Sequence, residues 1–209
     1  SLFRNLGLRE AETRTMPARV VRLVMAEEQR SEQLIGWVQL AIVATFAALY
    51  AVAPRPTDAP TMFEPVPVVL AAYASFTALR IVAAYRGFLP GWFLVASMLA
   101  DVALLYVLIW SFHIAYMQPA PFYLKAPTFA YIFVFIAVRA LRFDPRFVVS
   151  QGLFAALGWL AMVGWAVWAT EEEVVTRSFT EYLTGNLVLL GAEFDKVFTI
   201  LLLTGVLAL

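Results

Sequence analysis

The sequence predicts an all-α membrane protein: a six-transmembrane-helix bundle preceded by a short cytoplasmic amphipathic helix. Composition and pattern both point there. Of 209 residues, 62% are hydrophobic and only 14% charged, whereas aqueous domains are about half apolar. The apolar residues gather in six runs, and a helix needs roughly 20 such residues to cross a hydrocarbon core about 30 Å thick. The runs are about twice the length of a barrel strand and lack its period of two, so helices are the spanning element.

In chain order, residues 1–33 form the cytoplasmic N-terminal segment. After Pro17, "ARVVRLVMAEEQRSEQ" puts Val20, Val21 and Val24 on one side and Arg22, Glu28 and Glu32 elsewhere. That is the pattern of an amphipathic helix, either lying on the inner leaflet or docking against a partner. The spans follow at 34–53, 66–85, 91–110, 125–142, 147–169 and 187–209. The fourth has its apolar core at 129–141 and extends toward Lys125 only if that side chain snorkels to the surface. Breakers separate the runs: "PRPTDAP", "RGFLPG", "QPAPFYLKAP", "FDPR" and "TEEEVVTRSFTEYLTGN".

Orientation follows from lysine and arginine usage. Arg4, Arg9, Arg14, Arg19, Arg22 and Arg30 precede the first span; Arg80, Arg86, Arg139, Arg142 and Arg146 fall on the same side. Against these eleven, the other side holds only Arg55, Lys125, Arg177 and Lys196, among many carboxylates. Both termini are therefore expected in the cytoplasm, with an acidic outward face. Trp37, Tyr85 and Trp92 near inner ends, and Tyr50, Trp110 and Trp168 near outer ends, fit an aromatic belt.

Several functions are excluded or disfavoured. Without cysteine there are no disulfides, thiolate zinc sites or iron–sulfur clusters. Zero net charge gives no basic field for nucleic acid. The first 30 residues mix Arg with Glu, unlike a cleaved signal peptide. One histidine cannot supply a bis-histidine haem. No GxSxG, P-loop, GxGxxG or CxxC is present, and no nucleophile stands beside a base, so the chain alone is not expected to be an enzyme. No matched pair of interrupted helices suggests a transporter, although Asp101 and the acidic face leave a small channel as a weaker alternative.

Ionisable groups within spans carry the remaining information, because insertion of a mid-span charge costs about 2.5–3.5 kcal/mol. Asp101 lies mid-way along the third span. It serves either as a structural partner of Arg80, across an antiparallel hairpin with a depth offset of about 7 Å, or as a ligand or proton group. Arg139, Arg142 and Arg146 read as the inner anchor of the fourth–fifth hairpin, with Asp144–Pro145 at its turn. His113 is an interfacial aromatic or one ligand of an outward site with nearby carboxylates; any metal is unknown. Glu64 lies on the same outward face. In the last run, Glu193 and Lys196 are three residues apart and share a helix face. Asp195 points about 200° away from Glu193 and must look to another helix, a second subunit or a cation. The three either cap the span in the headgroup zone or sense an outer ligand or ion.

Two stretches carry a resemblance. "TFAYIFVFIAVRALRFDPRFVVSQGLFAALGWL" from Thr128 and the closing "LLGAEFDKVFTILLLTGVLAL" resemble the N-terminal six-helix membrane domain of bacterial class III adenylate cyclases. The resemblance implies a homodimer in the bacterial inner membrane whose sixth helix leads to a cytoplasmic cAMP-forming domain. This sequence would then be truncated before that effector. It implies no cofactor here; ATP and divalent Mg or Mn would belong to the catalytic domain. Asp195, Glu193, Lys196, His113 and Glu64, with Asp101 deeper, are the expected receivers of an outer small ligand, ion or lipid. The alternative is a passive membrane anchor and dimerisation module, for which Ala44 with Ala48 and Ala74 with Ala78 offer close packing.

Overall fold

A computed structural model of the chain describes residues 18–52, 65–87, 90–142, 144–170 and 174–209. Among these the protein is almost entirely helical. The only β contact among the described residues is an isolated parallel bridge between Val175 and Val188. Among the described residues four helices are long and apolar enough to cross a membrane: Gln29–Val52, Val66–Tyr85, Gly91–Ala115 and Pro145–Trp168.

The first of these is part of a longer rod. Helix α1 runs without a break from Ala18 to Val52. The amphipathic N-terminal helix expected as a separate element is therefore continuous with the first span. No glycine or proline lies between Ala18 and Gly36 to interrupt it. Helix α2 (Pro65–Tyr85) packs antiparallel against α1. Gly36 lies so close to Ile81 that an added β-carbon would sit 2.7 Å from Ile81 Cγ1. The hairpin into α3 (Gly91–Ala115) turns at Gly87, whose φ of 67° suits glycine best, and restarts behind Pro90. Helix α3 is the central element, with Leu94, Met98, Leu105 and Ile109 buried along its length.

The fourth expected span differs from its sequence reading. Instead of one helix over 125–142 there are two short 3-10 helices, Ala120–Lys125 and Pro127–Ala130, and then a ten-residue α4, Tyr131–Ala140. Pro119, Pro121 and Pro127 lack the N–H groups an α-helix needs, and Ala126 is extended between the two 3-10 turns. An interrupted helix, unexpected from the sequence, thus lies inside the bundle. Helix α5 (Pro145–Trp168) begins with an Asp144 cap accepting from the Arg146 N–H at 3.1 Å, with Pro145 in its first turn. After it comes the short α6, Phe179–Thr184, capped by Ser178. Helix α7, Leu190–Ala208, carries Glu193, Asp195 and Lys196 near its start.

The main packing pairs are α1 with α2 and α5 with α7, joined through α3 and α4. Trp159, Ile109, Ile136 and Ile200 fill the interior. Leu79, Trp92, Leu157, Phe198 and Val206 are exposed. An apolar outer surface of this kind is what helices in hydrocarbon require, since lipid tails are as apolar as the core.

Candidate functional site

Two polar centres occupy this apolar bundle. The larger joins α1, α2, α3 and α4. Arg80 and Asp101, expected to pair directly, do not. Arg80 donates to Glu32 and to the Gln39 amide oxygen, each at 2.7 Å, and Gln39 Nε2 donates to Asp101 at 2.6 Å. Gln39 stands between them and satisfies both. Asp101 also accepts from the Tyr73 hydroxyl at 2.6 Å and forms an ion pair with Arg139.

Arg139 is thus not part of an inner anchor. It is 1% exposed, deep in the bundle, because its place on α4 faces Asp101 and Ser97 on α3. Arg142, on the turn after α4, reaches Glu32 at 2.8 Å and lies 3.9 Å over the Phe147 ring. Arg146 is exposed at the start of α5. One unbroken polar chain results: Arg142, Glu32, Arg80, Gln39, Asp101, Arg139. Three guanidiniums face two carboxylates in it, all almost completely buried. Buried charge persists only with such pairing.

The second centre fastens the first turns of α7. Glu193 is 2% exposed. It accepts from Trp159 Nε1 on α5 at 3.0 Å, from the Tyr182 hydroxyl on α6 at 3.4 Å, and from Lys196 at 3.0 Å. The expected mutual neutralisation of Glu193 and Lys196 is present. Lys196 donates further to the Leu124 carbonyl at 2.7 Å and lies 4.9 Å from the Trp159 ring centre and 5.5 Å from that of Phe129. Lys125, near the same place, donates to the Gly185 carbonyl and lies over the Tyr182 ring. Four elements are therefore clasped around one carboxylate.

The other expected receivers are spread out. Asp195 is exposed on the opposite face of α7, as its angle predicts, and no hydrogen bond or ion pair to its carboxylate is found among the described residues. His113 donates from Nδ1 to the Trp110 carbonyl and packs between the Trp110 and Tyr123 rings, so it is an aromatic packing residue. Asp101 belongs to the first centre and is not grouped with Glu193. Glu64 lies outside the described residues. Among the described residues no three His, Asp or Glu side chains are grouped to hold a metal ion.

Sequence reasoning missed Glu32, Gln39, Tyr73, Trp159 and Tyr182. For the first two a signal existed: Glu32 and Gln39 are seven apart on one helical stripe, and Gln39 is polar within an apolar run.

Tyr182 allows a direct check of the clasp in solution. Burial, and then the negative charge of Glu193, push its hydroxyl up to about 12, against an ordinary value of about 10. The proton is therefore held more tightly in the folded state. Its stabilising contribution is complete below pH 10 and is lost as pH rises from there through about 12. Subtracting the phenolate absorbance titration of Tyr182→Phe from that of the parent should leave one tyrosine ionising near the upper value. A difference centred at the ordinary value would mean that Tyr182 is not closed over Glu193.

Comparison with known proteins finds no family model, no curated protein and no solved structure that this chain matches.

Proposed function

We propose that the chain is the sensory and dimerising membrane module of a bacterial adenylate cyclase. In this reading the bundle crosses the inner membrane six times, with both termini in the cytoplasm. A signal from the outer side or from within the bilayer passes along α7 to a cAMP-forming domain. The sequence resemblance from Thr128 onward supports the family, and the basic side of the chain supports the orientation. The observation that carries the sensory role is the clasp. Glu193 and Lys196, at the start of α7, are bonded to α5, to α6 and to the 3-10 segment at once. Any displacement among those elements must move α7, because a buried carboxylate cannot release its donors without cost. ATP and its divalent metal would bind in the catalytic domain and touch no residue described here.

The test is cAMP formation by the product of the complete gene, expressed in a bacterium lacking its own cyclase. Active protein is expected, and Glu193→Gln is expected to lower cAMP per membrane-inserted molecule by about five-fold or more. No cAMP from the complete product would overturn the cyclase reading. Unchanged output from Glu193→Gln, with regulation retained after exchange for an unrelated dimeric anchor, would reduce the module to an anchor.

A further inference from the structure

The end of the bundle at the α2–α3 turn carries exposed side chains that neither polar centre uses. On α1, Arg30, Leu34, Trp37 and Ala41 form one exposed stripe at spacings of four, three and four. On α2, Ala78, Val82 and Tyr85 form another. Trp37 Nε1 donates to the Tyr85 hydroxyl at 3.3 Å, which places both stripes on the same side of the helix pair. Gln29 donates to the Ala84 carbonyl at 2.9 Å, so α1 at Arg30 adjoins the end of α2, where exposed Arg86 follows Tyr85.

The result is an apolar seam headed by an indole and a phenol and flanked at its polar end by two guanidiniums. Among the described residues neither Arg30 nor Arg86 forms an ion pair, whereas Arg80, Arg139 and Arg142 all do. Of the nearby carboxylates, Glu32 is buried and committed to Arg80 and Arg142. Glu27 is exposed one turn of α1 before Arg30, and among the described residues it forms no ion pair with it. Two cations at one end of an apolar seam complement an anionic amphiphile. The aromatic pair marks the depth at which headgroup meets chain.

We propose that this seam binds one anionic phospholipid of the adjoining leaflet. Its phosphate lies between Arg30 and Arg86, and an acyl chain runs along Leu34, Ala41, Ala78 and Val82. The site is independent of the cyclase reading.

Native mass spectrometry of the intact chain, titrated with phosphatidylglycerol or phosphatidylcholine, tests it. One phosphatidylglycerol should be retained in preference to phosphatidylcholine. Arg30→Gln or Arg86→Gln should weaken retention about five-fold each and together about 25-fold, given about 1 kcal/mol per basic residue at a membrane surface. Arg30→Lys and Arg86→Lys should retain most of the binding. Arg146→Gln is the comparison, since Arg146 is exposed without a neighbouring Trp–Tyr pair. Equal retention of both lipids would overturn the site. So would an Arg146→Gln loss as large as that of the seam variants, which would mean a diffuse basic surface. A change of oligomeric state in Arg30→Gln would assign the seam to a second copy instead. All these side chains are exposed, so the variants should unfold at the parent's midpoint.

Discussion

Replacing Arg139 by alanine should destabilise the bundle by about 3–5 kcal/mol, the usual cost of removing one partner of a buried ion pair. The cost lies in what is left behind. Asp101 is 1% exposed and would keep only neutral donors, the Tyr73 hydroxyl and the Gln39 amide. Gln39 cannot turn to help, because its oxygen is engaged by Arg80. Combining Arg139→Met with Asp101→Leu removes both charges and should restore part of the loss. Recovery stays partial because Tyr73 and Gln39 then lose their common acceptor. Unfolding of the purified protein in detergent reads both variants. If Arg139→Ala cost no more than a typical exposed substitution, water would have to reach Asp101 freely, and the polar chain would lose its structural meaning.

The second large effect is steric. A β-carbon at Gly152 would fall within the Thr204 side chain, 2.7 Å from its Cβ and nearer still to its outer atoms. The obstacle is a β-branched residue buried on the facing helix, with its hydroxyl bonded to the Ile200 carbonyl. Gly152→Ala should therefore push α5 and α7 apart and cost about 1–3 kcal/mol. Thr204→Gly in the same chain should relieve the clash. Thr204→Ala should relieve it only in part, since the Cβ contact remains. Equal stabilities for Gly152→Ala and the parent would mean that α7 does not pack on α5 as described.

Where the sequence could be read, a local rule was in control. The spans built from α1, α2, α3 and α5 announce themselves because each is a long apolar run between breakers. Glu193 and Lys196 were paired correctly because their spacing of three is a property of one helix. The fourth span was misjudged because hydropathy ignores hydrogen bonding. Leu124 to Ala130 is apolar enough to continue a helix, yet Pro127 and the extended Ala126 prevent it. The partner of Asp101 was misjudged for another reason. Hairpin logic nominates Arg80, the neighbour along the chain, but α4 folds back over α3 and delivers Arg139, 38 residues away. Trp159 and Tyr182 bear no spacing relation to Glu193, so only three-dimensional packing could nominate them.

The unbroken α1 has a mechanical consequence. At 1.5 Å per residue, its 35 residues extend about 52 Å, while a bilayer core needs only about 30 Å. From Ala18 to Gln29, which donates to the Ala84 carbonyl on α2, the helix is a lever arm about 16 Å long. Its fulcrum is Glu32, held by Arg80 from α2 and by Arg142 from the α4–α5 turn. A straight helix stretches and twists little, so a push on this arm is not absorbed along the way. It arrives at the fulcrum as torque, and the two arginines pass it on to α2 and to the α4–α5 turn.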